Sequence, residues 1–131
     1  MTVDTKRQIP GMQWLPVIFW MTLIFCFSNQ ANSGAITEAY LGNFNVPLRK
    51  IAHLSEYLIL CLLSERAFRL SGGSWQRNSL IFAVVLSGFY ALTDEWHQAF
   101  VPGRSATLSD VLVDLLGALF ACAWQVLRRT D

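Results

Sequence analysis

Four apolar stretches, each interrupted or bounded by ionisable residues, dominate this sequence. They cover residues 11–27, 47–68, 79–100 and 108–127, and each is close to the roughly 20 residues that cross the hydrocarbon layer of a bilayer as a helix. Composition supports a membrane setting, because 53% of the residues are hydrophobic and only 15% are charged, against about 25% in soluble domains. We therefore predict a single all-α domain over residues 1–131, a small polytopic membrane protein with four transmembrane helices in a bundle.

Ionisable side chains inside these stretches are the unusual feature. Both histidines and five carboxylates lie within or at the end of an apolar stretch: His53, His97, Glu56, Asp94, Glu95, Asp110 and Asp114. Ionised groups are costly in hydrocarbon, so such residues usually face a bundle interior or a water-filled cavity and are often functional. The sequence predicts a polar site inside a membrane protein.

The distribution of basic residues predicts the orientation. Seven basic residues fall on one side of the four-span arrangement and three on the other: Lys6, Arg7, Arg66, Arg69, Arg77, Arg128 and Arg129 against Arg49, Lys50 and Arg104. The excess of basic residues marks the cytoplasmic side. We expect an inner-membrane protein of a bacterium with both termini in the cytoplasm, so that all three polar segments converge near the outer leaflet.

Helix ends and connections are partly readable. Thr107 followed by Asp110 resembles a capping box at the start of the fourth helix. Residues 29–46 are polar and contain glycine, which predicts the longest connection, placed over one mouth of the bundle. Within the second, third and fourth stretches, polar residues recur at helical spacing, so that each helix presents one polar stripe to its neighbours.

The order of residues in these stripes resembles the VanZ-like family of bacterial membrane proteins. The resemblance rests on Lys50-x-x-His53 with Glu56 and Tyr57, on the string from Asp94 to Arg104, Asp-Glu-x-x-Gln-x-x-x-Pro-x-Arg, and on Asp110 with Gly117. It implies a small helical protein of the cell envelope, in a family whose named member is associated with low-level resistance to the glycopeptide teicoplanin. Many relatives carry Asn where this chain has Asp114, which makes Asp110 the firmer candidate.

Candidate site residues divide into two groups by chemistry. Groups for proton transfer are His53, Glu56, Asp94, Glu95 and His97, and groups for ligand binding are Lys50, Tyr57, Gln98, Arg104 and Asp110. In an enzyme acting on a lipid-linked or cell-wall precursor, Glu56 or Asp94 would be the general base, and His53 or His97 the acid or its orienting partner. Lys50 and Arg104 would hold the anion.

Three other interpretations stay open. The same pocket could serve a non-enzymatic binding module for an amphiphilic ligand, a lipid head group or a glycopeptide, since charge complementarity alone would suffice. A proton pathway is disfavoured because the charges cluster at one end, and a purely structural ion-pair cluster is disfavoured because buried ion pairs add little net stability. Individually, Lys50 could be an interfacial anchor and Arg104 could close a loop by pairing with Glu95 or Asp110.

Cofactor and partner expectations follow from the same residues. Carboxylates three positions from histidines on neighbouring helices make a divalent cation conceivable, although the pattern of a four-carboxylate centre is incomplete. Membrane lipids are expected partners. A nucleic-acid partner is not expected, because the formal net charge is only +1 and no basic stripe runs along the sequence.

Overall fold

A computed structural model describes residues 10–130. Six α-helices follow one another along the chain: α1 (Leu15–Ser28), α2 (Ser33–Leu41), α3 (Asn45–Leu70), α4 (Gly73–Arg77), α5 (Ser79–Gln98) and α6 (Leu108–Thr130). Short 3-10 turns at Met12–Trp14 and Gly42–Phe44 precede α1 and α3. No strand occurs in this part of the chain, which confirms the all-α prediction. Lys6 and Arg7, used in predicting the orientation, lie outside the described residues.

The long connection after the first apolar stretch is largely helical, a feature that the sequence left unassigned. Ser33–Leu41 forms α2, because the sequence there contains alanine, glutamate and leucine, which are good helix formers. Gly42, at a φ of 53°, ends the helix. This segment had no apolar stripe by which a short helix could be recognised in the sequence.

Two helices are long and apolar enough to cross a membrane alone, namely α5 and α6. A third candidate combines Met12–Ser28 with Ser33–Leu70, two segments that meet at a bend of 78°. α3 by itself has 26 residues, about 39 Å of helix, whereas the 14 residues of α1 extend only about 21 Å. Two to three candidate spans fit a membrane bundle, and the four-span arrangement stays a prediction.

The bundle places small and polar residues inside and large apolar residues outside. α3, α5 and α6 pack against one another, and α1 lies against α3 and α5. On α5 the buried face is built mainly from small residues, Ser79, Ala83, Ser87 and Ala91, whereas the exposed face carries Ile81, Val85, Phe89, Leu92 and Trp96. This distribution is typical of helices in lipid, where small residues let helices approach closely.

Gly117 sets the distance between α3 and α6. A Cβ atom at this position would lie 2.2 Å from the carbonyl oxygen of Leu54, so no larger residue fits without moving the backbones apart. The close approach brings the first turns of α6 against the second and third turns of α3, where the predicted polar residues lie.

Glu65 ties the same helices together at the opposite end of the bundle. Its side chain is 1% exposed, and it accepts hydrogen bonds from Ser79 of α5 (3.0 Å) and Gln125 of α6 (3.4 Å). Two arginines complete this Glu65 cluster, Arg69 at 3.4 Å and Arg129, which also contacts Ser79. Every helix of the three-helix core contributes a residue to it.

Candidate functional site

A buried imidazole and a buried carboxylate form the centre of the site. Nδ1 of His53 on α3 lies 3.1 Å from Oδ1 of Asp114 on α6, and the Asp114 side chain has no exposed surface. A carboxylate in this position holds one ring nitrogen and thereby orients the other. Oδ2 of Asp114 has no hydrogen-bond partner among residues 10–130.

His53 lies between two polar cavities at this end of the bundle. The first, which we call the arginine cavity, has a volume of about 150 Å³. Its lining comes from α1, α2, α3 and the loop before α6: Phe27, Ser28, Gln30, Ser33, Thr37, Arg49, Ala52, His53, Glu56 and Arg104. α2, the helix that the sequence did not predict, therefore supplies one wall.

Two guanidinium groups of the arginine cavity have no carboxylate partner. Arg49 forms no hydrogen bond or ion pair with any described residue, and its Nη1 lies beside the backbone of Gly34, where a Cβ would be 3.3 Å away. Arg104 donates to the Ser33 hydroxyl, while its buried Nε has no partner in residues 10–130. Burial, together with the neighbouring Arg49, lowers the pKa of Arg104 from its ordinary value. An anion between the two arginines would relieve both costs.

Glu56 adds an unpaired carboxylate to the same cavity. It forms no ion pair within 4 Å among the described residues, although it interacts electrostatically with His53 and Arg104. Its backbone carbonyl accepts a hydrogen bond of 2.9 Å from the indole of Trp20, which fixes α1 against this turn of α3. The arginine cavity thus holds an acid, an imidazole and two cations.

The second cavity, which we call the lysine cavity, has a volume of about 220 Å³. It lies between the start of α3 and the start of α6 and is lined by Val46, Arg49, Lys50, His53, Ser105, Thr107, Ser109 and Asp110. Nζ of Lys50 is 3.8 Å from Oδ1 of Asp110, which is longer than the roughly 2.7–2.9 Å of a strong charge-assisted hydrogen bond. Arg49 and His53 belong to both cavities.

The loop that carries Arg104 is fixed by contacts with α2. Gly103 adopts a φ of 73°, and a Cβ there would lie 2.0 Å from Oδ1 of Asn32. The Asn32 N–H donates to the carbonyl of Pro102 at 3.0 Å. These contacts place Arg104 over the start of α2, where it reaches Ser33.

Several predicted residues support the site without lining either polar cavity. Gln98 donates to Asp94 (3.0 Å) and to Ser28 (3.1 Å), which connects α5 to α1. Glu95 accepts a hydrogen bond of 2.9 Å from the N–H of Thr107. In a capping box the N–H of Thr107 would donate to the side chain of Asp110. Here it donates to Glu95 on α5 instead.

Tyr57 and His97 lie apart from the two cavities. Tyr57 is completely buried in the apolar core, with its ring 6.3 Å from that of Tyr90. His97 packs 4.8 Å from the ring of Phe25 and contacts Oδ1 of Asn29 at 3.2 Å. Of the ten candidate residues, five line a polar cavity: Lys50, His53, Glu56, Arg104 and Asp110.

Two important residues were undervalued in the sequence. Arg49 was counted only as a basic residue near a helix end, although its spacing to His53 and Glu56, four and seven positions, places all three on one helical face. Asp114 was ranked below Asp110, yet it is Asp114 that bonds His53. The sequence offered one signal: Asp114 lies three and four positions before the small residues Gly117 and Ala118, with which it shares a helical face. All three are buried in the structure.

A metal centre was considered from the same pattern of acids and histidines. Within residues 10–130, no group of three or more His, Cys, Asp or Glu side chains is arranged to hold a metal ion.

Comparison with known proteins gives one match. No curated protein and no solved structure matches the chain. The model of the VanZ/LLP1 family, in contrast, matches residues 13–128, a range that includes every residue lining the two cavities. The chain therefore belongs to the VanZ/LLP1 family.

Proposed function

We propose that this protein binds the anionic head group of an amphiphilic cell-envelope molecule in the arginine cavity. The observation that carries the proposal is the pair of half-buried arginines, Arg49 and Arg104, which share one cavity and form no ion pair within 4 Å with a carboxylate of residues 10–130. Guanidinium groups suit phosphate and carboxylate because they donate two parallel hydrogen bonds. A structural role alone would leave Arg49 without any hydrogen bond or ion pair among the described residues and the buried Nε of Arg104 without a partner there.

The surroundings of the arginine cavity favour an amphiphile over a freely soluble anion. Phe27 and Ala52 form part of its lining, and Phe44 and Ile51, before and within the first turns of α3, have exposed apolar side chains. A lipid-linked molecule could place its tail along this surface and its head group between the arginines.

The cavity volumes restrict the ligand. Drug-sized molecules occupy pockets of roughly 300–1,000 Å³, whereas the two polar cavities measure about 150 and 220 Å³. These cavities fit a head group and not a whole glycopeptide. In this proposal the protein lies in the bacterial inner membrane with the cavities facing outward, and any glycopeptide tolerance arises through a bound lipid-linked or cell-wall precursor.

The test is binding to protein reconstituted in phosphatidylcholine nanodiscs. Saturable binding of a long-chain alkyl phosphate is expected, with the alcohol of the same chain binding at least 10-fold more weakly, because a charge-assisted hydrogen bond contributes about 1.5–3 kcal/mol. Arg49→Gln and Arg104→Gln should each weaken binding of the phosphate about 10-fold. Arg66→Gln, which removes an exposed arginine near the other end of α3, is the matched control and should have no effect. Equal binding of the alcohol, or unchanged binding by both cavity variants, would overturn the proposal.

A second candidate function is proton-transfer catalysis on the same head group. It is favoured by the bond between His53 and Asp114, which leaves Nε2 of His53 for a ligand in either cavity, and by the unpaired Glu56 carboxylate. An imidazole and a carboxylate next to an anion can act as general acid and base. Conversion of a lipid-linked precursor by the reconstituted protein, lost in His53→Gln and Glu56→Gln, supports this function. Saturable binding of that precursor without product would contradict catalysis and leave ligand binding as the function.

A further inference from the structure

The lysine cavity adjoins the arginine cavity. Arg49 and His53, one helical turn apart on α3, line both cavities. Each cavity also has a cation of its own, Arg104 in one and Lys50 in the other. The two cavities therefore form one polar region with three cations, of which Arg49 is the one that lines both cavities.

Donor groups in the lysine cavity are suited to a second anion. Lys50 is 44% exposed, and its separation of 3.8 Å from Asp110 leaves its three N–H groups free for stronger bonds. Ser105, Thr107 and Ser109 add three hydroxyl groups to the lining, of which those of Thr107 and Ser109 share a hydrogen bond of 2.9 Å. Asp110 is the acidic member of the lining, so the cavity balances two cations against one carboxylate.

Cavity size supports one anionic group in each cavity. At roughly 30 Å³ per water molecule, volumes of about 150 and 220 Å³ each hold several waters, enough for a phosphate-sized group. A single phosphate would fill one cavity and leave the cation of the other without an anionic ligand. Two linked phosphates would use both flanking cations and share Arg49.

We propose that the two cavities are adjacent subsites for the two anionic groups of a diphosphate, with Arg49 contacting both groups. The proposal rests on the anion-binding function above and names its ligand class as a lipid diphosphate. Lys50 and Ser109 are then specificity residues that distinguish diphosphate from monophosphate. Arg104 contacts the group that either ligand places in the arginine cavity.

The experiment compares an isoprenyl diphosphate with the matching isoprenyl monophosphate, on the protein in phosphatidylcholine nanodiscs without divalent cations. The unaltered protein should bind the diphosphate about 10-fold more tightly or better, equivalent to one additional charge-assisted contact. Lys50→Gln and Ser109→Ala should reduce diphosphate affinity towards that of the monophosphate and leave monophosphate affinity unchanged. Arg104→Gln should weaken both ligands, and Arg66→Gln neither.

The outcomes separate this inference from the proposed function. If monophosphate and diphosphate bind equally, or if Lys50→Gln weakens both to the same extent, the two-subsite inference is wrong while anion binding stands. If neither lipid binds, both fail. Inorganic pyrophosphate identifies the source of the ligand: weak competition supports a lipid diphosphate, and competition as strong as that of the lipid contradicts a lipid ligand.

Discussion

His53 and Asp114, 61 positions apart in the sequence, join α3 to α6 through a contact of 3.1 Å between Nδ1 and Oδ1. Replacing Asp114 by alanine would leave a buried imidazole without its partner, which costs about 1–3 kcal/mol. Asp114→Asn keeps an acceptor oxygen for the Nδ1–H and should cost less than about 1 kcal/mol. Thermal unfolding of the purified protein in detergent micelles measures both effects.

Asp110→Ala is the matched control for this prediction. Its carboxylate is partly exposed, and its separation of 3.8 Å from Lys50 is too long for a strong ion pair. Its loss should therefore cost less than about 1 kcal/mol. An Asp114→Ala variant as stable as Asp110→Ala would contradict the structural importance of the contact between His53 and Asp114.

Gly117→Ala should destabilise the bundle through steric conflict with the backbone. The added Cβ would meet the Leu54 carbonyl oxygen at 2.2 Å, so α3 and α6 must separate, at a cost of about 1–3 kcal/mol. Gly88→Ala is the control, because the Cβ there approaches only the end of the flexible Leu115 side chain, at 2.9 Å. Equal midpoints of thermal unfolding for the two variants would show that the close approach is not required.

Glu65→Ala should lower the free energy of unfolding by about 1–3 kcal/mol, because it removes the buried acceptor shared by Ser79, Gln125 and Arg129, while the half-exposed Arg69 and Arg129 stay solvated. Affinity for the alkyl phosphate should stay unchanged in the variant that still inserts, since Glu65 lies at the end of α3 away from both cavities. Glu38→Ala, at an exposed position on α2, should change neither property. Measured loss of ligand affinity in folded Glu65→Ala protein would argue that the two ends are coupled.

Accessibility of introduced cysteines tests the predicted sidedness. In a background lacking Cys26, Cys61 and Cys122, a membrane-impermeant maleimide added to intact cells should label Ser105→Cys and spare Ser74→Cys. Both positions are exposed at opposite ends of the bundle, and basic residues predominate near Ser74. Labelling of Ser74→Cys alone would place the cavities in the cytoplasm.

Local patterns in the sequence were sufficient for the helical class and for three of the residues that line one polar cavity. The apolar stretches anticipated α5 and α6 closely, because runs of large apolar residues have few alternatives to a helix in a membrane. Lys50, His53 and Asp110 were recognised as polar residues at helical spacing, and the structure places all three around one cavity.

Local sequence patterns could not predict which side chains of distant segments contact each other. The choice between Asp110 and Asp114 as the partner of His53 depends on the rotation of α6 about its axis, which the close approach at Gly117 sets. Glu65 was overlooked because Arg66 and Arg69 beside it resemble the charged margin of a membrane span, although the fold buries it. The wall formed by α2 required tertiary contacts, such as that between Arg104 and Ser33, to become visible.

Two contacts hold α6 against α3, namely the Glu65 cluster and the bond between His53 and Asp114. They lie about 18 Å apart along α3. A shift or rotation of α6 by one residue would break both contacts at once, so α6 has no alternative register against α3. The backbone positions of Arg49, Lys50 and His53 relative to α6 are consequently fixed before any ligand arrives, so ligand binding at these residues has mainly side chains left to order.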